Sequence, residues 1–106
     1  MSPYRLPHDL AGEQQRLALM SALLDPVERV YIDRLGVGPG WRCLELGSGN
    51  GSIAKILAQL VGPTGHVVAS DIDLSFMAGP ETPNLEVRRI DVLQDKMEGG
   101  FYDLIF

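Results

Sequence analysis

The sequence has little cysteine and no surplus of basic charge. Its one cysteine, Cys43, leaves the chain unable to form an internal disulfide or a metal site built from cysteines. Nine lysine and arginine residues stand against 14 aspartate and glutamate residues, and the net charge of −5 gives no long-range attraction to nucleic-acid phosphates. We therefore expect neither a disulfide scaffold nor a nucleic-acid-binding protein, and the composition fits a cytoplasmic location.

Long apolar runs are also missing. The start of the chain, Met1 to Arg5, lacks the apolar segment of a signal peptide, and no run approaches the roughly 20 residues of a membrane span. No membrane partner is expected. With 106 residues, 45% of them hydrophobic and 22% charged, the chain has the composition of one ordinary soluble domain, small for an α/β fold.

What the sequence does contain is a turn with three alternating glycines, Gly47, Gly49 and Gly51. Residues 41–46 before it predict a strand. The residues after it predict a helix that packs on a sheet, because apolar side chains recur at i, i+3, i+4 and i+7 from residue 53. Glycine permits a sharp turn and the close approach of a ligand, and the helix start directs its N–H groups at the same place. The pattern therefore predicts a nucleotide-sized ligand on the turn.

Two further predicted strands end in acidic residues. Residues 66–70 form a short β-rich run before Asp71, and residues 85–90 alternate before Asp91. The strand, helix, strand order predicts a right-handed crossover between two parallel strands, and ligands of such sheets bind at the carboxyl ends of the strands. Asp71 is placed to accept both hydroxyls of a ribose. The alternative is that it caps a short helix over residues 74–77.

Before the first strand, the pattern predicts two helices. Residues 12–24 carry apolar side chains on one face, and residues 26–35 follow a start signal with Asp25 as the N-cap and Pro26 in the first helical position. We expect residues 1–11 to form an irregular arm. The expected buried stripe of the second helix consists of Val27, Val30, Tyr31 and Leu35.

The spacing E-x-G-x-G-x-G from Glu45 to Gly51 resembles motif I of the class I S-adenosylmethionine-dependent methyltransferases. Two later segments strengthen the resemblance. The pair Asp91-Val92 is similar to the acid and apolar residue that follow the family's third strand, and residues 101–106 are similar to its fourth strand. The resemblance covers residues 41–106.

The resemblance implies an α/β fold: a Rossmann-like parallel sheet with flanking helices, truncated after strand 4, with strand order 3-2-1-4 and a preceding N-terminal helical arm. It divides the chain into residues 1–40, the arm with two helices, and residues 41–106, a partial cofactor-binding domain. Since the family's sheet has seven strands, we expect a portion of a longer methyltransferase that acts on a small molecule. The exposed edge of strand 4 predicts a homodimer.

By resemblance, the cofactor is S-adenosylmethionine and the product S-adenosylhomocysteine. Glu45 is expected to order the turn and to reach the amino group of the cofactor, while the turn passes against its methionine part. Asp71 is expected to hold the ribose, and the residues after the second and third strands to contact the adenine. The expected cofactor-binding residues are Glu45, Gly47, Ser48, Gly49, Asn50, Gly51, Asp71, Ile72, Asp91 and Val92.

Two alternatives stay open. A nicotinamide-dependent oxidoreductase shares the crossover and the ribose acid, but its fingerprint favours glycine where this chain has Ser52. A non-catalytic binding or oligomerisation module keeps the fold without the chemistry. In the arm, Tyr4, His8 and Asp9 can fold over the site, although such residues are more often at the surface. The sequence identifies no catalytic residue and no set of metal ligands.

Overall fold

The computed structural model describes residues 10–77, 79, 82–93, 95 and 101–106. The helices and strands along these residues are α1 (Leu10–Leu35), β1 (Arg42–Leu46), α2 (Ser52–Val61), β2 (His66–Asp71), β3 (Leu85–Arg89) and β4 (Leu104–Ile105). The strands form one parallel sheet in the order β3-β2-β1-β4. The predicted Rossmann-like α/β fold and its strand order are confirmed.

Helix α2 covers one face of the sheet and forms the core with it. Successive residues of a strand point to opposite faces. Cys43, Val67 and Leu85 are neighbours in register and lie on the face that α2 covers. Leu57 and Val61 of α2 are fully buried in the same core. Each such side chain contributes about 1.5–3 kcal/mol when it is fully buried, so the core holds α2 and the strand ends in a fixed relation.

Two local contacts fix the far end of α2 on the sheet. Gly62 follows the helix with a φ of 65°, and the side-chain amide of Asn84 donates hydrogen bonds to the carbonyls of Ala58 at 2.9 Å and Gly62 at 2.8 Å. Carbonyls at a helix end are short of donors, and Asn84 supplies them. Gly65 lies against the same turn, where a Cβ would be 2.4 Å from the Cβ of Val61. The close packing therefore requires glycine at residue 65.

The prediction of two helices before the first strand is wrong. Helix α1 runs unbroken from Leu10 to Leu35 with Pro26 inside it, so residues 1–40 contain one described helix. Proline removes the hydrogen bond to the carbonyl of Ala22, but its fixed φ of about −65° is itself a helical value, and the chain continues through it. An aspartate followed by proline is also typical of a helix start. This shared signature explains the incorrect boundary between Asp25 and Pro26.

The expected buried stripe of the second half of α1 is wrong as well. Its members are between 49% and 57% exposed, whereas Ile32 is fully buried in the core. The residues concerned are Val27, Val30, Tyr31 and Leu35. The face of α1 that packs is the one that carries Ile32, because α1 docks on α2 and the glycine turn rather than on the sheet alone.

Two further segments differ from what the sequence suggested. The segment after Asp71 forms a turn, in which the N–H of Met77 donates to the carbonyl of Leu74 at 3.2 Å, in place of the expected helix over residues 74–77. Strand β4 covers only two of the six residues expected for it. It pairs with β1 and has no second neighbour among the described strands.

The sequence predicted no membrane-spanning segment. None of the helices that the structure describes has the length and apolar character needed to cross a membrane. Tyr4, His8 and Asp9 lie outside the described residues.

Candidate functional site

The three glycines of the turn between β1 and α2 all adopt left-handed conformations. Their φ angles are 70° at Gly47, 58° at Gly49 and 82° at Gly51. Such a φ costs a residue with a side chain roughly 1–2 kcal/mol, so the turn favours glycine at each position. A Cβ at Gly51 would also lie 3.2 Å from Cγ of Met77. The turn leaves the carboxyl end of β1 and leads directly into α2 at Ser52.

Two buried serines hold the turn on the neighbouring strand β2. The N–H of Ser48 donates to the carbonyl of Ser70 at 2.8 Å, and the N–H of Ser70 donates to the Ser48 hydroxyl at 3.1 Å. The Ser70 hydroxyl donates to the Glu45 carbonyl at 2.6 Å. Sequence reasoning included Ser48 and missed Ser70. The sequence feature that could have identified Ser70 is its hydroxyl at the end of β2, after three apolar residues and directly before Asp71.

Asp71, at the end of β2, binds the glycine turn directly. Its Oδ2 accepts a hydrogen bond from the N–H of Gly49 at 2.9 Å, and its Oδ1 accepts one from the N–H of Asp73 at 3.3 Å. The carboxylate therefore anchors the turn at the carboxyl end of the sheet. It does not cap a helix, because the following segment is a turn. Contact between Asp71 and a ribose stays a prediction.

Glu45 is the buried acid of the site. Only 6% of the residue is exposed, and its Oε1 has no hydrogen-bond partner in the described part of the chain. The pKa of Glu45 is raised from 4.5 to about 7, and burial is the largest cause. The nearby carboxylates of Glu28, Asp25 and Asp71 contribute to this rise, and the hydrogen bond from Ser48 opposes it. Buried polar groups normally have partners, so this oxygen makes Glu45 a candidate to bind a ligand.

A pocket of about 140 Å³ lies between α1 and the glycine turn, and Glu45 is part of its wall. The residues of α1 that line it are Leu17, Met20, Ser21, Leu24, Asp25 and Glu28. Sequence reasoning missed the polar members of this group. Their helical spacing could have identified them, since Ser21, Asp25 and Glu28 lie on the same face of α1 as the buried Ile32.

Hydrogen bonds join α1 to the start of α2 at this pocket. The side-chain amide of Asn50 donates to the Ser21 hydroxyl at 2.9 Å, and Oδ1 of Asn50 accepts from the N–H of Ser52 at 3.1 Å. The hydroxyls of Ser52 and Ser21 are 3.2 Å apart. Asn50 thereby satisfies one of the N–H groups that a helix start leaves without a partner. The expected site residue Asn50 thus links the turn to α1.

The remaining expected residues lie outside this pocket, at the ends of β2 and β3. Ile72 and Val92 are 52% and 56% exposed. Oδ1 of Asp91 accepts a hydrogen bond from the N–H of Leu93 at 2.9 Å. Because β2 and β3 are adjacent and parallel, these residues share the carboxyl-end edge of the sheet with the glycine turn. The structure brings them to that edge but not into the wall of the pocket beside Glu45.

A larger cavity, of about 500 Å³, lies at the opposite end of the sheet. Residues at the end of α2 and the start of β2 and β3 line it, among them His66 and Asn84. Nε2 of His66 lies 3.1 Å from Oε1 of Glu86, and Asn84 is bonded to the end of α2. None of the expected site residues lines this cavity. We place the site at the smaller pocket, where the buried acid and the left-handed turn converge.

Comparison with known proteins identifies the family. The protein-family model for protein-L-isoaspartate(D-aspartate) O-methyltransferase (PCMT) matches residues 17–94 of this chain. The chain belongs to this methyltransferase family. The match begins within α1 and includes the glycine turn, Asp71 and Asp91. The resemblance to class I S-adenosylmethionine-dependent methyltransferases is confirmed, and the nicotinamide-dependent alternative is not favoured.

Curated methyltransferases match about half of this PCMT-family chain. The ubiquinone/menaquinone biosynthesis C-methyltransferase UbiE of Ectopseudomonas mendocina is 42% identical over 50 residues, 47% of this chain and 20% of that protein. A probable cobalt-precorrin-6B C(15)-methyltransferase (decarboxylating) of Thermoplasma volcanium is 37% identical over 49 residues, 46% of this chain and 24% of that protein. The chain thus spans about a fifth to a quarter of the length of these relatives. A crystal structure of a cyclopropane-fatty-acyl-phospholipid synthase-like protein from Lactobacillus casei matches 79% of this chain and 33% of that chain, with 27% identity and a TM-score of 0.43.

Proposed function

We propose that this chain binds S-adenosylmethionine at the glycine turn and forms the cofactor-binding portion of a methyltransferase that acts on a small molecule. The observation that carries this proposal is Glu45, a buried carboxylate whose Oε1 lacks a partner among the described residues. A buried acid without a partner is costly, and a cationic group relieves that cost. At Gly47 a Cβ would meet no described atom within 4 Å, so the turn leaves space for a ligand there, and the family match supports the reaction class.

The proposed cofactor contacts follow the carboxyl-end edge of the sheet. We assign the amino-acid end of the cofactor to Glu45 and the turn over residues 47–51. We assign the nucleoside end to the region of Asp71, whose carboxylate is suited to the ribose hydroxyls. The residues that we assign to the adenine are Ile72, Asp91 and Val92.

When bound, the cofactor supplies a methyl group on a sulfonium centre that is already activated for displacement. The contribution of the chain is therefore to bind and orient, and correct orientation alone supplies a large part of the acceleration in such reactions. A general base is needed only if the acceptor must lose a proton. We assign no general base and no metal to the described residues.

The acceptor that we propose is a small molecule. Two of the relatives are named for ubiquinone/menaquinone biosynthesis and for a cobalt-precorrin. The net charge of −5 argues in the same direction, since it disfavours association with a nucleic-acid backbone.

Three further properties belong to this proposal. Residues 41–106 form the partial cofactor-binding domain, the protein is cytoplasmic, and two copies associate through the free edge of β4. The last point is supported by the position of β4 at the edge of the sheet, where unpaired backbone groups favour association with another strand.

Calorimetric titration with S-adenosylhomocysteine tests the binding, with NAD titrated in parallel. We expect the first ligand alone to bind and its affinity to fall at least tenfold in Asp71→Ala. Asp33→Ala is the matched control, because Asp33 is exposed on α1 and pairs with Arg29 at 3.0 Å, away from the turn. Binding of NAD alone, or a folded chain by circular dichroism that binds neither ligand, would overturn the proposal.

Transfer of a labelled methyl group separates an enzyme from a non-catalytic module. The chain is incubated with methyl-labelled S-adenosylmethionine and a panel of small-molecule acceptors. Label in any acceptor, lost in Asp71→Ala and retained in Asp33→Ala, supports catalysis. A chain that binds the cofactor and labels no acceptor supports the non-catalytic alternative.

A further inference from the structure

Helix α1 turns polar residues toward the protein and apolar residues toward solvent. Ser21 and Glu28 lie between Leu17 and Ile32 on the face that packs inward. The opposite face carries four large apolar residues between 49% and 65% exposed, which are Leu19, Leu23, Val27 and Val30. Charged side chains are rarely directed inward unless they have a partner, and departures from the usual pattern are expected at functional sites.

The inward polar residues of α1 bring carboxylates to the pocket that Glu45 lines. Asp25 and Glu28 are both part of its wall, and none of the described residues that line this pocket is lysine, arginine or histidine. Burial and the charge of Asp25 raise the pKa of Glu28. Three carboxylates around one pocket, with no basic side chain among the described residues of its wall, repel one another and destabilise the ligand-free protein. A cation in the space between them relieves this repulsion.

The state of Glu45 is an independent observation that points to the same ligand. The residue is 6% exposed, it lines the pocket, and its Oε1 has no partner within the described residues. The pocket volume of about 140 Å³ suits the end of an organic molecule. No group of three His, Cys, Asp or Glu side chains in the described ranges is arranged to hold a metal ion. A primary ammonium fits better, since its three N–H donors can serve separate carboxylates.

We propose that Asp25 and Glu28 of α1 bind, together with Glu45, the α-ammonium group at the amino-acid end of the cofactor. The inference rests on the proposed function and adds two residues from an element outside the glycine turn. It makes α1 the part of the chain that selects for a charged amine. The affinity for a nucleoside that lacks this amine does not depend on Asp25 and Glu28.

Two ligands and three variants test the assignment. S-adenosylhomocysteine carries the ammonium group, and 5′-methylthioadenosine has the same nucleoside without the amino-acid part. We expect Asp25→Asn and Glu28→Gln each to weaken S-adenosylhomocysteine binding about tenfold, as for the loss of one charge-assisted contact. The Kd of 5′-methylthioadenosine changes less than twofold. Asp33→Asn, on the exposed side of the same helix, leaves both affinities unchanged.

Thermal unfolding of the ligand-free variants distinguishes a binding role from a structural one. Because Asp25 and Glu28 repel their neighbours, Asp25→Asn and Glu28→Gln raise the Tm while they weaken binding. A lower Tm together with an equal loss of affinity for both ligands indicates a structural role and overturns the assignment. Unchanged S-adenosylhomocysteine affinity in both variants also overturns it and leaves the proposed function intact. A wild-type chain that binds neither nucleoside overturns the proposed function and the assignment with it.

Discussion

At the scale of single residues, Glu45 is a buried acid, and the charged groups among the described residues that shift its pKa are all carboxylates. Its pKa is raised from 4.5 to about 7, chiefly by burial and to a smaller extent by the charges of Glu28, Asp25 and Asp71. The folded protein therefore retains a proton on Glu45 over a pH range in which the unfolded chain has released it. Stability contributed in this way is present at low pH and is lost as the pH rises through about 7.

We predict that Glu45→Gln removes this pH dependence. Between pH 5 and pH 8 the free energy of unfolding of the wild type should fall by about 2–3 kcal/mol relative to the variant, since the pKa shift acts over that window. Urea denaturation at several pH values measures the difference. Glutamine keeps the size and a hydrogen-bonding side chain but cannot ionise. Parallel pH profiles for the two proteins would contradict the prediction.

At the scale of elements, the docking of α2 depends on a position without a side chain. A Cβ at Gly65 would lie 2.4 Å from the Cβ of Val61 and 2.7 Å from the carbonyl oxygen of Trp41. One contact is with the last turn of α2 and the other is with backbone, so neither can be relieved by a rotamer change.

We predict that Gly65→Ala destabilises the chain by about 2–4 kcal/mol, because α2 must move away from the sheet. Gly38→Ala is the matched control. A Cβ at Gly38 comes no closer than 3.7 Å to another atom, so this variant should stay within about 0.5 kcal/mol of the wild type. Chemical denaturation of both variants measures the effect. Equal stability of the two variants would show that α2 does not pack as described.

The second element-scale prediction concerns the proline inside α1. Pro26→Ala should stabilise the chain by about 1–3 kcal/mol, because alanine restores the N–H that bonds to the carbonyl of Ala22 and is the better helix former. Pro39→Ala, in the turn before β1, is the control and should be neutral or slightly destabilising. Thermal unfolding compares them. A lower Tm for Pro26→Ala would indicate that the helix is interrupted at this residue.

At the scale of the whole molecule, two of the apolar surfaces that the described residues expose could join copies of the chain. One is the outward face of α1, which includes Leu23, and the other is the edge of the sheet at β4, where Ile105 is 50% exposed. Edge strands of parallel sheets present free N–H and C=O groups in addition to side chains. The proposed homodimer uses this edge.

We predict that light scattering shows a dimer for the wild type and a monomer for Ile105→Lys. A lysine at the edge of the sheet opposes strand pairing between copies. Leu23→Lys places the same charge on the other exposed apolar surface and should leave the dimer intact. The reverse result, with dissociation by Leu23→Lys alone, would assign the interface to α1. A monomeric wild type would exclude the dimer.

The elements with a local physical cause were predicted from the sequence. The apolar spacing from Ile53 to Leu60 predicted α2, and the observed bounds differ from that range by one residue at each end. The strand order was implied by the resemblance to the methyltransferases, and the sheet confirms it. Failure came where one local signal has two meanings, as at Asp25 and Pro26, whose pairing occurs both at helix starts and within this helix.

The sequence by itself determined the strand–turn–helix unit, the left-handed positions of the glycine turn and the acids at the ends of the strands, because each follows from conformational preferences within a few residues. Only the tertiary structure decided which face of α1 is buried and that Asp25 and Glu28 meet Glu45 at one pocket. That outcome depends on how a helix docks on distant parts of the chain. The physical reason is that the docked position of α1 depends on all of its contacts with α2 and the turn, and a pattern within a few residues of sequence does not include these contacts.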